Sequence, residues 1–377
     1  MKLMMITTYT TPTNMRRELL ESVAAHGHEV VVVSPAPSEQ MAAPVRKLGG
    51  TYVEWAASRT TIDPVGDIAA ASRLCAIARR HRPDVVLIYQ IKAVLLAPTI
   101  AKLARVRNVV ALVNGLGAVF DDHGFGLTRK ARVARALYRL SLRNVDTVVF
   151  QNADDPLLLE RKRILGRDRH RVIVPGSGVD TDKLRPPATR PLLPPTFTLM
   201  TRLLVSKGVR DYVAAARAVK ARYPHAIFRL AGQFEAPNHP DGIAKAEVDA
   251  WVRDGVIDYV GFINDVPELL ATTTVFVLPS YYREGVPRTS LEAMAMGLPV
   301  VTTDSVGCRD TVEDGVTGFL IPPKNAAALA DRLERYLAQP GLAAAHGRAS
   351  RQRAERMFDI QRVNRLMLEA LGLTAGA

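Results

Sequence analysis

The strongest constraint in this 377-residue chain is an alternation that runs twice. Short, uniformly apolar runs alternate with longer amphipathic ones. "LMMITT" leads to "MRRELLESVAAHG" and "HEVVVVSP", and "ASRLCAIARRHRP" precedes "DVVLIYQ", with "NVVALV" and "DTVVFQ" beyond. Strands apolar on both faces and separated by helices specify a parallel sheet covered on two sides, so residues 1–183 are expected to form a doubly wound α/β domain. "LRPPATRPLLPP", from Leu184 to Pro195, can continue neither a helix nor a central strand and is expected to be a linker. The alternation restarts with "TFTLMTRL", "KGVRDYVAAARAVKARYP", "AIFRLAG", "VIDYVGF", "VFVLPS" and "PVVTT". Residues 196–377 are therefore expected to form a second α/β domain facing the first across a cleft, with the last helix a candidate to pack back on the first.

In open α/β sheets ligands bind beyond the C-terminal ends of the strands, so chemistry is sought in the loops there. After "VFVLPS" comes "YYREGVPRTSLEAMAMG", which reads as a loop entering a helix near Arg288 and closed by Gly297. A helix N-terminus in that position offers free N–H groups and a positive dipole end to an anion. Glu284 lies on the loop, Gly285 permits close backbone approach, Pro287 sits where a missing N–H costs little, and Glu292 lies one turn into the helix. Standing alone, Glu292 reads as an i, i+4 partner of Arg288. The first loop of the second domain, "MTRLLVSKG", adds Arg202 and Lys207, two cations able to hold a diphosphate without a metal.

"TRLLVSKG", "GFINDVPELLATTTVFVLPS", "REGVPRTSLEAMAMGLPVVTTD" and "VEDGVTGFLIPP", in this order, resemble the donor domain of retaining family 4 glycosyltransferases of the GT-B fold. "NGLGAVF", "VVFQNADD", "GSGVD" and "VGCRDTVEDGVTGFL" resemble the bacterial branch that extends undecaprenyl-diphosphate-linked glycans. The resemblance implies two Rossmann-like domains, with Arg202 and Lys207 on the donor diphosphate, Glu284 on hydroxyls of the transferred sugar, and Glu292 on the ribose. It also implies that the backbone of Gly285, Val286 and Pro287 meets the sugar and phosphate, and that Phe262 and Ile263 cover the base. Such an enzyme takes a sugar from a UDP-sugar to a lipid-linked glycan. No Asp-x-Asp pair stands in the crevice loops, so no metal and no other cofactor is expected. The first crevice loop, "TTYTTPTNMRR", departs from relatives by lacking glycine; Thr8 and Tyr9 there can hydrogen-bond a sugar, or serve as turn residues. Asn114, Gly115 and Gly117 follow "NVVALV", where many relatives carry a histidine, and His123 comes only later.

Charge is unevenly spread: residues 1–190 hold 29 Lys and Arg against 17 Asp and Glu, and the remainder 21 against 20. This asymmetry points to an acidic partner for the first domain, such as a phosphorylated substrate or an anionic membrane. "LTRKARVARALYRLSLR" concentrates it, with an apolar line, Val133, Leu137 and Leu140, expected to be buried against the sheet and a basic face able to meet a membrane. Few aromatics interleave with the cations, which disfavours single-stranded nucleic acid. Cys75 and Cys308 form no disulfide framework, and no apolar run nears the roughly 20 residues that span a bilayer, so a cytoplasmic chain, peripheral on the inner membrane face, is expected. Two rivals fit parts of the pattern: a nucleotide-sugar 2-epimerase on the same architecture, and a non-enzymatic basic membrane-binding module.

Overall fold

The computed structural model describes residues 1–8, 16–35, 39–55, 64–120, 128–188, 194–237, 239–339 and 341–374. Two compact units result, Met1–Ser177 with Gln361–Ala377, and Gly178–Ile360. The division falls between Ser177 and Gly178, and Gln361–Ala377 groups with the first unit.

The first unit runs β1 (Lys2–Ile6), α1 (Arg17–Ala25), β2 (Glu29–Ser34), α2 (Glu39–Lys47), β3 (Thr51–Glu54), α3 (Pro64–His81), β4 (Val85–Tyr89), α4 (Ile91–Leu103), β5 (Asn108–Val113), α5 (Arg129–Leu142), β6 (Thr147–Phe150), α6 (Asp154–Arg161) and β7 (His170–Ile173). Its strands are parallel, in the order β3-β2-β1-β4-β5-β6-β7, so the winding reverses between β1 and β4. The uniformly apolar strands divide their side chains between two cores. Met4, Ile6, Val86 and Ile88 pack under α3 and α4, while Leu3, Met5, Val85 and Leu87 face α1 and, from the far end of the chain, Val363, Met367 and Leu371. At about 1.5–3 kcal/mol per buried aliphatic side chain, neither face can be left open, and the C-terminal helix is needed to cover one of them.

The second unit continues with β8 (Thr196–Met200), α7 (Val209–Arg222), β9 (Ile227–Ala231), α8 (Lys245–Arg253), β10 (Asp258–Gly261), α9 (Val266–Ala271), β11 (Val275–Leu278), α10 (Arg288–Ala295), β12 (Val300–Thr303), β13 (Gly318–Ile321), α11 (Ala326–Ala338) and α12 (Leu342–Arg353), and α13 (Ile360–Leu371) closes the chain. Its parallel order is β10-β9-β8-β11-β12-β13. The reversal lies between β8 and β11, whose exit loops therefore part around a crevice. Near the return to the first unit, Val179 N donates to the Phe358 carbonyl and Ile360 N to the Val179 carbonyl, both at 2.9 Å.

One expectation is reversed. Val133, Leu137 and Leu140 on α5 are exposed, and the buried face of that helix is Ala131, Ala134, Tyr138, Ser141 and Leu142. Small residues let α5 lie close to α4, where Ser141 Oγ donates to the Val94 carbonyl at 2.6 Å and Asn144 Nδ2 to Thr99 Oγ1 at 3.1 Å.

Candidate functional site

The crevice of the second unit is built by loops tied to one another through backbone and short polar side chains. Beyond β8 the chain makes a 3₁₀ turn at Val205–Lys207, then passes through Gly208 at φ 76° into α7. A Cβ on Gly208 would stand 2.1 Å from the Pro279 carbonyl oxygen, so only glycine allows this turn to press against the end of β11. Ser206 then supports the opposite loop. Its carbonyl accepts from Tyr281 N and Tyr282 N at 2.9 and 3.0 Å, and its own N–H donates to Asp241 Oδ1 at 3.1 Å. A second close approach fixes the other side, since a Cβ on Gly307, at φ 80°, would meet the Gly285 carbonyl oxygen at 1.5 Å.

These supports bring Lys207 and Glu284 together. Lys207 Nζ lies 2.6 Å from Glu284 Oε1, with side chains only 9% and 15% exposed. Ser280 Oγ donates to the same carboxylate oxygen at 2.9 Å, and the Tyr282 ring centroid lies 5.2 Å from Nζ. A nearly buried cation held by one carboxylate can exchange that partner for another anion at small electrostatic cost. Behind them, α10 begins at Arg288 after Pro287, with Gly285, Val286 and Pro287 buried. Its first N–H groups have no intrahelical acceptor and form the positive end of the helix dipole.

The other expected donor residues are engaged differently. Arg202 Nη1 contacts Glu235 Oε1 at 2.8 Å and its side chain is half-exposed. Glu292 accepts from Arg288 Nε at 3.0 Å, the helical pair its spacing alone suggested. Phe262, 61% exposed beyond β10, and half-buried Ile263 lie on the adjoining loop. Cys308 is buried, with its thiol pushed up to about 12 by burial first and by Glu284 second, so it is a neutral packing group. Among the described residues no group of three or more His, Cys, Asp and Glu side chains is arranged to hold a metal ion.

In the first unit, Thr8 is buried at the end of β1 and engaged by a residue the sequence reading passed over. Gln90 Oε1 accepts from Thr8 N and Thr8 Oγ1, each at 2.7 Å, and from Thr7 Oγ1 at 3.0 Å. Gln90 sits at φ 80°, ψ 143°, a conformation costly for a residue with a Cβ, at the strand ends where the winding reverses. The loop after β4 is a crevice loop by the same rule that selected the others, and that rule would have found it. After β5, Gly115 and Gly117 take φ 106° and 54°, and Asn114 Oδ1 is buried with no hydrogen-bond partner among the described residues. Tyr9 and His123 lie outside the described residues.

Two family models match the chain in tandem: a glycosyl transferase 4-like domain over residues 10–176 and glycosyl transferases group 1 over residues 194–339. Among curated proteins it is 25% identical over 337 residues, 86% of each chain, to N,N'-diacetylbacillosaminyl-diphospho-undecaprenol alpha-1,3-N-acetylgalactosaminyltransferase of Campylobacter jejuni. It is 29% identical over 373 residues, 92% of this chain and 86% of the other, to glycogen synthase of Mycobacterium tuberculosis. The crystal structure of Anabaena Alr3699/HepE in complex with UDP shares its fold at a TM-score of 0.79 and 17% identity, covering 99% of this chain and 100% of that one.

Proposed function

This chain belongs to the glycosyltransferases that join a 4-like domain to a group 1 domain, and we propose that it moves a sugar from a UDP-sugar to a hydroxyl of a lipid-linked glycan, with retention and without a metal ion. The observation that carries the reading is the pair Lys207–Glu284, nearly buried between the loops after β8 and β11 and beside the start of α10. Rupture of a sugar–diphosphate bond develops negative charge on the leaving phosphate. A fixed ammonium, the Arg202 guanidinium and the helix N–H groups stabilise that charge without a divalent ion. In this reading Lys207 passes from Glu284 to the phosphate as donor binds, and Glu284 turns to hydroxyls of the transferred sugar. Glu292 reads the ribose, the backbone of Gly285, Val286 and Pro287 meets the sugar phosphate, and Phe262 and Ile263 cover the base.

The choice of UDP is supported by a fold relative crystallised with UDP, and the lipid-linked acceptor by the name of the Campylobacter relative. Such an acceptor sets the reaction at the cytoplasmic face of a membrane, in polysaccharide or glycoconjugate assembly. Thr8, Gln90, Asn114, Gly115 and Gly117 then belong to the acceptor side. Attack of the acceptor hydroxyl on the donor face, with its proton taken by the leaving phosphate, is the step proposed.

The test is a panel of UDP-, GDP- and ADP-sugars, scored by thermal stabilisation and then by transfer to lipid-diphosphate-linked acceptors. UDP-sugars should stabilise the protein, turnover should survive EDTA, and Glu284→Ala should abolish it. An isomerised sugar formed without acceptor would overturn the reading, as would full transfer by Glu284→Ala.

A further inference from the structure

Gln90 stands where the backbone calls for glycine. Its φ of 80° and ψ of 143° lie close to a region that only glycine enters without strain. The position is the end of β4, where the Gln90 carbonyl accepts from Val94 N at 2.9 Å to open α4 and the winding of the sheet reverses. A side chain held there against strain points to a use for that side chain. Its amide is oriented by its neighbours. Oε1 accepts from Thr7 Oγ1 at 3.0 Å and from Thr8 Oγ1 and Thr8 N at 2.7 Å each. A backbone N–H can donate only to the oxygen of an amide, so this network separates its oxygen end from its nitrogen end. Nε2 is thereby held in place with two N–H donors. Among the described residues no group accepts from them, and Gln90 is only half-buried.

The neighbouring strand end carries the complementary gap. β5 pairs with β4 up to Tyr89 and Leu112, and just beyond it Asn114 Oδ1 is buried with no hydrogen-bond donor among the described residues. An unanswered donor pair and an unanswered acceptor on adjacent strand ends suit sugar hydroxyls, each of which both accepts and donates. A neutral amide brings no charge to a phosphate, which Arg and Lys bind more strongly. We infer that Gln90 reads the sugar of the acceptor: Nε2 donates to one of its hydroxyl oxygens, while Oε1, tied to Thr7 and Thr8, fixes the direction of that donation. The inference rests on the acceptor-side reading of this crevice and adds a specificity-determining residue to it.

Binding of the full chain to a short-chain prenyl-diphosphate N-acetylhexosamine, compared with the bare prenyl diphosphate and measured without any sugar nucleotide, tests it. Wild type should prefer the glycosylated probe. Gln90→Glu keeps the size of the side chain and an oxygen for Thr7 and Thr8 but removes the N–H donors, and it should melt like wild type. Its carboxylate repels both probes alike, so the ratio of the two affinities isolates the sugar contact. That ratio should fall roughly tenfold, the value of one good hydrogen bond. Gln90→Gly, which takes φ 80° without strain, should fold and show the same loss. A ratio unchanged in Gln90→Glu would leave Gln90 with no role beyond holding the two threonines and overturn the inference. So would a wild-type chain without preference for the glycosylated probe, or a Gln90→Glu chain that melts far below wild type. A wild-type chain that shows the preference but moves no sugar from any UDP-, GDP- or ADP-sugar would count against the transfer reading alone.

Discussion

The Lys207–Glu284 pair can be tested by a double-mutant cycle. Glu284→Gln keeps the volume and the acceptor for Ser280 Oγ but removes the charge, leaving the Lys207 ammonium, 9% exposed, beside the Tyr282 ring and an amide. Lys207→Met leaves the carboxylate, 15% exposed, facing an apolar chain. Breaking a buried pair from one side costs about 3–5 kcal/mol, because the surviving charge is not resolvated, so each single variant should lose about 3 kcal/mol. That loss corresponds to a fall of roughly 6–12 °C in the melting temperature of a domain of this size. The double variant buries no charge and should lose only about 1 kcal/mol, so the coupling energy in urea unfolding should be about 5 kcal/mol. Ligand binding should then part the two residues. Lys207→Met should weaken UDP binding roughly 10- to 100-fold, the value of a charge-assisted hydrogen bond, whereas Glu284→Gln should spare UDP affinity and abolish transfer. Additive destabilisations would show that the pair is not a unit, and equal UDP affinities in both singles would remove Lys207 from the diphosphate.

Three further outcomes are expected. Gly307→Ala should cost at least about 3 kcal/mol and lose transfer, since its φ of 80° is strained for alanine and its Cβ would strike the Gly285 carbonyl; a soluble, active variant with wild-type melting temperature would contradict this. Burial lowers the pKa of His346, which is bonded to Tyr336 Oη at 2.9 Å. The unfolded chain therefore takes up its proton first, and stability from this group, full above about pH 6.5, is lost as pH falls below it. His346→Gln should flatten the fall in urea midpoint between pH 7.5 and 5.5, and an unaltered slope would assign the fall elsewhere. Cys308, held neutral, should resist alkylation in the native chain while half-buried Cys75 reacts, and Cys308→Ala should retain transfer; rapid labelling of Cys308 would refute its burial.

What the sequence disclosed follows from which patterns are one-dimensional. Runs such as "EVVVVS" and "VVLIY" have no polar side to turn to water, so each must be an interior strand of a covered sheet, and β2 and β4 are that. The bounds of α10 were legible because Gly297, at φ 68°, and the following proline punctuate the chain locally. The α5 surface was not legible for a related reason. Val133, Leu137 and Leu140 have the spacing of a buried stripe, and nothing along the chain shows that Ala131, Ala134 and Ser141 are small enough to bring α4 so close that they form the buried face instead. Periodicity counts hydrophobicity, whereas helix packing at short range selects for the absence of side chain. The same gap separates the site's residues from their partners. Glu284 and Lys207 could be nominated from loops at strand ends, but their direct pairing depends on Ser206 accepting from two successive N–H groups of the opposite loop, 75 and 76 positions away. Gln90 belongs to no chemical motif; its place at the end of β4 points to the loop, and its backbone angles point to the residue. Residues that act by holding others at a strained angle carry their signal in geometry, and in such cases a sequence pattern narrows the loops to search without naming the side chain.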